Sequence, residues 1–272
     1  MADKRFAKVG GLNTHYLQAG PADGRAPAIF MLHGQLPGSS AEVEFAPVID
    51  HFGAAGYAVF APDLAGFGLT DNPADFSIGA RIAHVRDFIA FTGAVPRAIW
   101  GSSMGTYIGC AIALRDPRVA RLVITPSSVL PPPSTGPRNE AGEKLFHAIH
   151  DYVPSRDAAR TLLSQVLVNK RPDDALVELF YAMSTGKNEQ AEKQRRAAGR
   201  PPPIYDALGP LTASSLLLWG NDDVSVPAER GLALFRGMPH AEFHALQRCG
   251  HWPQHDQTER TKRLVGDFLR PA

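Results

Sequence analysis

The sequence predicts an α/β protein with a mostly parallel, doubly wound sheet and an inserted helical segment. Short apolar runs alternate along the chain with longer stretches of helical period, an order typical of helices packed on both faces of a parallel sheet. The alternation stops between about residues 127 and 205, where the patterns are helical. A chain of 272 residues, 44% of them hydrophobic, is long enough for one such domain with an insertion.

Five short runs of uninterrupted apolar residues predict buried parallel strands. A strand that is covered on both faces loses the polar alternation of a half-exposed strand, so these runs indicate central positions in the sheet. Another short apolar run covers residues 243–246, and two alternating segments at 6–9 and 14–17 predict an antiparallel pair at an edge. The five continuous runs are 28–32, 57–60, 98–100, 122–124 and 216–219.

Amphipathic patterns predict the helices that connect these strands. Apolar residues recur at helical spacing within 42–55, 77–91 and 258–269. Ser77 precedes the second of these stretches and is a favourable N-cap, because its hydroxyl can accept a hydrogen bond from an N–H group of the first turn. We therefore expect one helix in each stretch.

The segment without strands is expected to form a helical cap over the sheet. Two triple prolines, at 131–133 and 201–203, bracket it and predict stiff, extended connections. The predicted division of the chain is a core of residues 1–126 and 206–272 and a cap of residues 127–205. The helical stretches expected in the cap are 145–152, 155–169, 172–184 and a polar run that ends near 196.

Composition argues against several classes of partner. Lys and Arg total 28 and Asp and Glu total 27, so the net charge is +1 and no nucleic-acid-binding face is predicted. No run of about 18 apolar residues is present to span a membrane. Two cysteines, Cys110 and Cys249, are too few for a disulfide framework or a four-cysteine zinc site. We expect a cytoplasmic protein that acts on a small molecule, with a symmetric homodimer as one candidate assembly.

One five-residue motif predicts a nucleophile. Residues 101–105 read Gly-Ser-Ser-Met-Gly, directly after a predicted strand and before a helical stretch at 106–115. In the Gly-x-Ser-x-Gly motif a tight strand-to-helix turn exposes the serine hydroxyl, and the glycines avoid crowding of the backbone. We therefore predict Ser103 as a nucleophile at the carboxyl end of its strand, where open α/β sheets place their sites.

A serine nucleophile needs a base, and the base needs an orienting carboxylate. In this topology the chain order is serine, then acid, then histidine. Asp222 and Asp223 follow a predicted strand, and either could be the acid while the other caps the next helix. His251 follows the last predicted strand and is the expected base. Three other histidines lie in the same region, namely His240, His244 and His255.

The oxyanion that forms during acyl transfer needs backbone N–H donors. The strand-to-helix turn of the Gly-x-Ser-x-Gly motif, known as the nucleophile elbow, supplies one donor, the N–H group of Met104. The loop that follows residues 28–32 is expected to supply the other. That loop reads His-Gly-Gln-Leu-Pro-Gly over 33–38. Its small residues allow close approach to the oxygen, and Gln35 is placed to donate its N–H group.

At these motifs the sequence resembles the α/β-hydrolase family over nearly its whole length. It looks most similar to the branch that hydrolyses carbon–carbon bonds in meta-cleavage products of aromatic degradation. The resemblance implies the α/β-hydrolase fold, with Ser103 as nucleophile, Asp223 as acid and His251 as base. The stretches that carry it are 32–34 with 37–38, 62–68, 101–105, 219–227 and 249–252.

The resemblance also implies Gln35 and Met104 as the oxyanion donors, although the sequence departs from that branch nearby. Gln35 and Leu36 replace two glycines that the branch usually has. Ser102 replaces the asparagine that usually precedes the nucleophile. Leu179 stands where the branch carries a cap arginine, so a bidentate partner for a substrate carboxylate is missing.

Five residues around these motifs are expected to contact the substrate, namely His33, Gly34, Ser102, Leu179 and Trp252. For Trp252 two interpretations stay open: the ring shapes the pocket, or it packs beneath the histidine loop. Apolar cap residues at helical spacing are expected mainly to hold the cap together and onto the core.

The sequence therefore predicts a serine hydrolase that cleaves a small, largely apolar carbonyl substrate. The scissile bond is either a carboxylic ester or the carbon–carbon bond of a meta-cleavage-type diketone. This chemistry needs no cofactor, and no metal is expected because the histidine pairs lack a His-Glu-x-x-His pattern. Two alternatives use the same fold: a cofactor-free oxygenase or lyase with His251 as base, and a ligand receptor that keeps the three residues.

Overall fold

Eight strands form one sheet in the computed structural model, which describes residues 1–21, 24–131 and 139–270. The strands are β1 (Asp3–Val9), β2 (Leu12–Ala19), β3 (Ala28–Leu32), β4 (Ala58–Pro62), β5 (Pro96–Gly101), β6 (Arg121–Ile124), β7 (Ser214–Gly220) and β8 (Ala241–Leu246). Their order across the sheet is β1-β2-β4-β3-β5-β6-β7-β8. All neighbours from β4 to β8 are parallel, and β2 is antiparallel to both of its neighbours.

Helices cover both faces of this sheet and fill one long connection. The described helices are α1 (Ala41–Phe45), α2 (Ile49–Ala54), α3 (Ile78–Thr92), α4 (Met104–Ala113), α5 (Glu140–His150), α6 (Arg156–Val166), α7 (Asp174–Met183), α8 (Lys187–Ala197), α9 (Ala228–Arg236), α10 (Pro253–Asp256) and α11 (Thr258–Leu269). None of these helices is long and apolar enough to cross a lipid bilayer.

The two faces of the sheet pack into separate apolar layers, which explains why the strand sequences lack polar alternation. Along β3, Phe30 packs into one buried cluster with Phe88 of α3, whereas its neighbour Met31 packs into a second cluster. That second cluster also holds Trp100 of β5 and Val265 of α11. All five residues of β3 are buried. The predicted doubly wound α/β fold is confirmed, with the carboxyl ends of the parallel strands along one edge.

One detail of the sequence prediction is corrected. The expected helix over 42–55 is wrong: α1 and α2 are separate, because Pro47 lies between them and cannot continue a helix. The predicted antiparallel pair at an edge is confirmed: β1 pairs with β2 and is the outermost strand on that side of the sheet, and β2 pairs also with β4. The expected N-cap is confirmed, since the Ser77 hydroxyl accepts a hydrogen bond from Ala80 N at 3.2 Å.

Helices α5 to α8 lie between β6 and β7 and have an apolar cluster of their own. Leu162 and Phe180 are buried in it, and it packs onto Val43 of α1 and Trp252 of the core. In the connection that leaves these helices, the Pro202 carbonyl accepts a 2.8 Å hydrogen bond from the Tyr107 hydroxyl. Pro132 and Pro133 of the first triple proline lie outside the described residues. Division of the chain at 127 and 205 stays a prediction.

Candidate active site

The turn between β5 and α4 places Ser103 at the carboxyl end of a central strand. Its φ is 51° and its ψ is −111°, a conformation that residues other than glycine rarely adopt and that stores strain. A Cβ atom on Gly101 would lie 2.2 Å from Thr106 Cα, and one on Gly105 would lie 1.9 Å from the Leu32 carbonyl oxygen. Both glycines therefore allow α4 to pack directly against the strands behind the serine.

Asp223 and His251 meet where the loops after β7 and β8 converge. Asp223 Oδ2 lies 2.8 Å from His251 Nδ1, and both side chains are buried. The other carboxylate oxygen accepts hydrogen bonds from Ser225 N at 2.8 Å and Val226 N at 3.0 Å. Because the carboxylate is held from two sides, it favours the tautomer with a proton on Nδ1 and leaves Nε2 as the basic nitrogen.

The neighbouring carboxylate has a different environment. Asp222 is exposed, and its Oδ2 accepts a 3.3 Å hydrogen bond from Cys249 N. Neither aspartate caps α9, whose N-cap residue is Pro227. Of these two aspartates, Asp223 is the one that contacts His251.

Charges around His251 favour its protonated form. Burial alone lowers the pKa of an imidazole, because the imidazolium loses its hydration. The Coulomb attraction and the hydrogen bond of Asp223, together with the charge of Glu44, outweigh burial and raise the pKa of His251 above its ordinary value. A more basic imidazole is better suited to take the proton of a hydroxyl.

The other histidines of this region lie in different surroundings. His255 Nε2 donates a 2.8 Å hydrogen bond to the Val43 carbonyl oxygen. His244 Nε2 lies 3.9 Å from Glu242 Oε2, and His240 is exposed. In the part of the chain that the structure describes, no group of three or more His, Cys, Asp or Glu side chains could hold a metal ion.

Burial lowers the pKa of His255 to about 4, below its ordinary value near 6.5. Between about pH 6.5 and 4 the unfolded chain therefore binds a proton that the folded protein does not, and stability is lost as the pH falls. We expect this site to lower the free energy of unfolding by about 3 kcal/mol across that window, measured by urea denaturation. His255→Gln keeps an N–H donor for Val43 and should remove this part of the slope. His51→Gln, at an exposed position, should retain it; equal slopes in all three proteins would contradict the assignment.

Backbone donors are available beside Ser103. Met104 is the first residue of α4, so its N–H has no acceptor within the helix. Within the described chain, the N–H of Gln35 also donates to no acceptor. His33 holds this loop: Leu64 N donates to His33 Nε2 at 2.9 Å, so Nδ1 carries the proton and donates to the Gly34 carbonyl at 2.7 Å.

A cavity of about 130 Å³ lies between the carboxyl end of the sheet and the helices of the insertion. Ser103 and His251 both line it, together with Gln35. Apolar side chains form much of the remaining wall. They are Leu36, Leu145, Ile149, Val166 and Trp252.

The site thus combines a strained serine after a central strand with an aspartate–histidine pair at the ends of two later strands. The chain that carries this site matches one known family over most of its length. The model of the alpha/beta hydrolase family covers residues 29–264. The chain belongs to the α/β-hydrolase family.

Relatives of this α/β hydrolase resemble it over most of its length. The 2-hydroxy-6-oxononadienedioate/2-hydroxy-6-oxononatrienedioate hydrolase of Burkholderia vietnamiensis is 31% identical over 95% of this chain and 91% of its own. A protein of the same name from Paraburkholderia phymatum is 32% identical with the same coverage. The structure of a meta-cleavage product hydrolase from Pseudomonas fluorescens IP01 matches with a TM-score of 0.83 at 27% identity, over 97% of both chains. The protein is therefore a hydrolase, and its resemblance to meta-cleavage product hydrolases is confirmed.

The five residues that are predicted to contact the substrate differ in their position relative to the cavity of the hydrolase. Gly34 and Trp252 line the cavity. His33 and Ser102 are fully buried and do not line it. Leu179 packs against the apolar cluster of the helical insertion. Trp252 also belongs to that cluster, so its ring both lines the cavity and packs against the insertion, whereas packing beneath the histidine loop stays a prediction.

Three polar residues at the cavity of the hydrolase were missed by sequence reasoning, namely Glu44, Ser128 and Ser225. Glu44 lies beside the apolar stripe predicted for 42–55, so that helix would have exposed it. In the structure α1 is enclosed on several sides, and Glu44 is fully buried together with Ala41, Val43 and Phe45. Ser128 and Ser225 follow strand ends, and that position is the one signal that could have indicated them.

Gly105→Ala is expected to destabilise the hydrolase by about 3 kcal/mol or more, because the added Cβ would overlap the Leu32 carbonyl oxygen. Urea denaturation measures the loss. Gly266→Ala is the matched control: this glycine lies within α11 with open space around its Cβ position, so alanine should stabilise by about 0.5–1 kcal/mol. Equal effects of the two substitutions would show that α4 does not need the glycine.

Proposed function

We propose that this α/β hydrolase is a serine hydrolase that cleaves a small, largely apolar carbonyl substrate. The substrate is either a carboxylic ester or a meta-cleavage-type diketone with a scissile carbon–carbon bond. One observation carries the proposal: the 2.8 Å contact between Asp223 and His251 lies at a cavity that Ser103 also lines. A positioned base beside a strained serine is the arrangement that activates a hydroxyl for attack.

The proposed reaction has two stages. His251 Nε2 takes the proton of Ser103 Oγ as that oxygen attacks the carbonyl carbon, and the N–H groups of Gln35 and Met104 bind the oxyanion. His251 then gives the proton to the leaving group as the scissile bond breaks. In the second stage, His251 takes a proton from water as the water oxygen attacks the acyl-enzyme, and it returns this proton to Ser103 Oγ as the ester bond breaks and the acid is released. Asp223 stabilises each imidazolium.

The carbon–carbon reaction adds one requirement. Its leaving group is a carbanion, so the substrate must first tautomerise to a ketone that can accept the electron pair. The relatives from Burkholderia vietnamiensis and Paraburkholderia phymatum are named as hydrolases of 2-hydroxy-6-oxononadienedioate and 2-hydroxy-6-oxononatrienedioate, which supports this branch of the proposal. The wall of the cavity combines apolar and polar side chains and does not distinguish the two branches.

We also propose that residues 127–205 act as a cap over the site. Leu145, Ile149 and Val166 come from helices between β6 and β7, yet they line the same cavity as Ser103. The backbone N–H of His251 donates to the Val166 carbonyl at 2.9 Å, so the insertion is hydrogen-bonded to the histidine loop itself. Such a cover excludes water from the oxyanion and strengthens its hydrogen bonds.

Mass spectrometry after rapid acid quench tests the proposal on the wild-type protein. The panel contains aryl esters, lactones and 2-hydroxy-6-oxo-dienoates, and loss of the dienoate chromophore reports carbon–carbon cleavage. We expect the peptide that contains Ser103 to gain the mass of the acyl group with each substrate that is turned over. Turnover with incorporation of dioxygen and no adduct would favour a cofactor-free oxygenase instead. Tight binding without turnover would favour a receptor.

A further inference from the structure

A buried carboxylate that the proposed mechanism does not use lies at the same cavity. Glu44 of α1 is fully buried and lines the cavity with Ser103 and His251. Its Oε1 atom accepts hydrogen bonds from Gly34 N at 2.9 Å and from the Ser39 hydroxyl at 2.8 Å. Its Oε2 atom is also buried and has no hydrogen-bond partner among the described residues. A buried polar atom without a partner costs about 1–3 kcal/mol, so it calls for an explanation.

The carboxylate is close to the reacting centre. A Cβ atom built on Gly34 would lie 3.1 Å from Ser103 Cβ and 3.2 Å from Glu44 Oε1, so the serine and the glutamate flank one small space. The charge of Glu44 also acts on His251 and contributes to its raised pKa. Glu44 is therefore near enough to meet groups of the substrate next to its scissile carbonyl.

Among the described residues that line the cavity, His251 is the side chain that can become cationic, and it is already paired with the Asp223 carboxylate. Of the same described residues, Glu44 is the one carboxylate, and none is lysine or arginine. Leu179, which stands where the related branch carries an arginine, packs against the apolar cluster of the insertion and brings no positive charge. In an enclosed, poorly hydrated space two like charges repel strongly, so a substrate carboxylate beside Glu44 would be disfavoured.

Given the proposed Ser103 chemistry, on which this rests, we propose that Glu44 determines substrate specificity. The cavity takes a carbonyl compound that has a hydroxyl or amino donor near the scissile carbonyl and no carboxylate there. The donor supplies the missing partner of Oε2, which would otherwise stay unpaired. Repulsion between Glu44 and a substrate carboxylate contributes to the same specificity by disfavouring the wrong substrate. This hydrolase is thereby distinguished from its relatives that are named for dioate substrates.

Glutamine separates this role from a purely structural one. Oε1 alone holds the loop, through Gly34 and Ser39, and a glutamine can present its carbonyl oxygen to the same two donors. Glu44→Gln therefore keeps the loop contacts but removes the charge and places an N–H₂ donor where Oε2 was. Ser39→Ala is the matched control, since it removes the two loop hydrogen bonds of this hydroxyl, from Leu36 N and to Glu44 Oε1, and leaves the charge in place.

The test measures how three boronic acids of similar size protect Ser103 from a neutral fluorophosphonate, with the extent of labelling read by mass spectrometry. The acids are phenylboronic acid and its 3-hydroxymethyl and 3-carboxy derivatives, each of which forms a bond to a serine oxygen. In the wild type and in Ser39→Ala we expect the hydroxymethyl acid to protect best. The carboxy acid should need a concentration at least about tenfold higher. Glu44→Gln should bring these two concentrations within about threefold of each other.

The outcomes distinguish a failure of the proposed serine chemistry from a failure of the specificity role of Glu44. If Ser103 of the wild type is not labelled, with Ser103→Ala as the background, the proposed serine chemistry fails and the role of Glu44 fails with it. If Ser103 is labelled but the carboxy acid protects as well as the hydroxymethyl acid, the serine chemistry stands and the specificity role of Glu44 is overturned. The same conclusion follows if Glu44→Gln keeps the wild-type ratio. If Glu44→Gln does not fold, the order in which the three boronic acids protect Ser103 of the wild type still tests the specificity role of Glu44.

Discussion

Ser103→Ala is expected to lower kcat/KM by at least about 10⁴-fold on every substrate that the wild type hydrolyses. Alanine keeps the backbone turn between β5 and α4 but offers no oxygen to attack the carbonyl. The oxyanion donors and the cavity remain, so substrate binding should change little and the loss should fall on kcat. Initial rates over a range of substrate concentrations, with single-turnover mass spectrometry, measure both quantities.

The control for this substitution is Ser164→Ala on the exposed face of α6, which should stay within about twofold of the wild-type rate. Thermal unfolding of both variants checks that they are folded. If folded Ser103→Ala kept a substantial part of the activity, the hydroxyl would not be the nucleophile. His251 would then act directly as a base on water or substrate, as in the alternative cofactor-free chemistry.

Features that depend on short stretches of sequence could be predicted well. The run at 28–32 coincides with β3, and the helix predicted over 258–269 coincides with α11. Each of these elements has one continuous apolar pattern, set by the faces that it must bury. The elbow at 101–105 is equally local, because the need for glycine arises from backbone contacts within a few residues and with the adjacent strand.

Features that depend on packing between distant elements could not be predicted from pattern. Glu44 is buried because α1 packs inside the fold, where the carboxylate accepts a hydrogen bond from Gly34 N, ten residues before it. His33 looks like a substrate contact in sequence, but both its ring nitrogens bond to backbone groups, one of them at Leu64. Leu179 was placed at a substrate position by resemblance alone, and its side chain packs within the insertion.

The choice between Asp222 and Asp223 shows the same limit on a smaller scale. The residues are adjacent and chemically identical, and nothing in their local pattern separates them. What separates them is the course of the loop after β7, which buries one carboxylate against His251 and leaves the other exposed. The resemblance to the family predicts Asp223 as the acid, and its 2.8 Å contact with His251 supports this prediction.

This adjacency makes a matched pair of variants available. Asp223→Asn is expected to lower kcat by about 10⁴-fold, because an amide can donate a hydrogen bond to Nδ1 and so favour the imidazole tautomer with its proton on Nε2. Asp222→Asn makes the same chemical change one residue away, at an exposed carboxylate, and should stay within about threefold of the wild-type rate. A greater loss from Asp222→Asn than from Asp223→Asn would exchange their roles.

The pH dependence of the residual activity provides a second readout that mere loss of structure would not produce. Asp223 raises the pKa of His251 against the opposing effect of burial. Without that carboxylate, burial dominates and the pKa of the imidazole falls. A general base works in its neutral form, so the acidic limb of the kcat/KM profile should move to lower pH in Asp223→Asn and stay in place in Asp222→Asn. An unshifted limb in Asp223→Asn would mean that His251 is not the base whose ionisation limits the reaction.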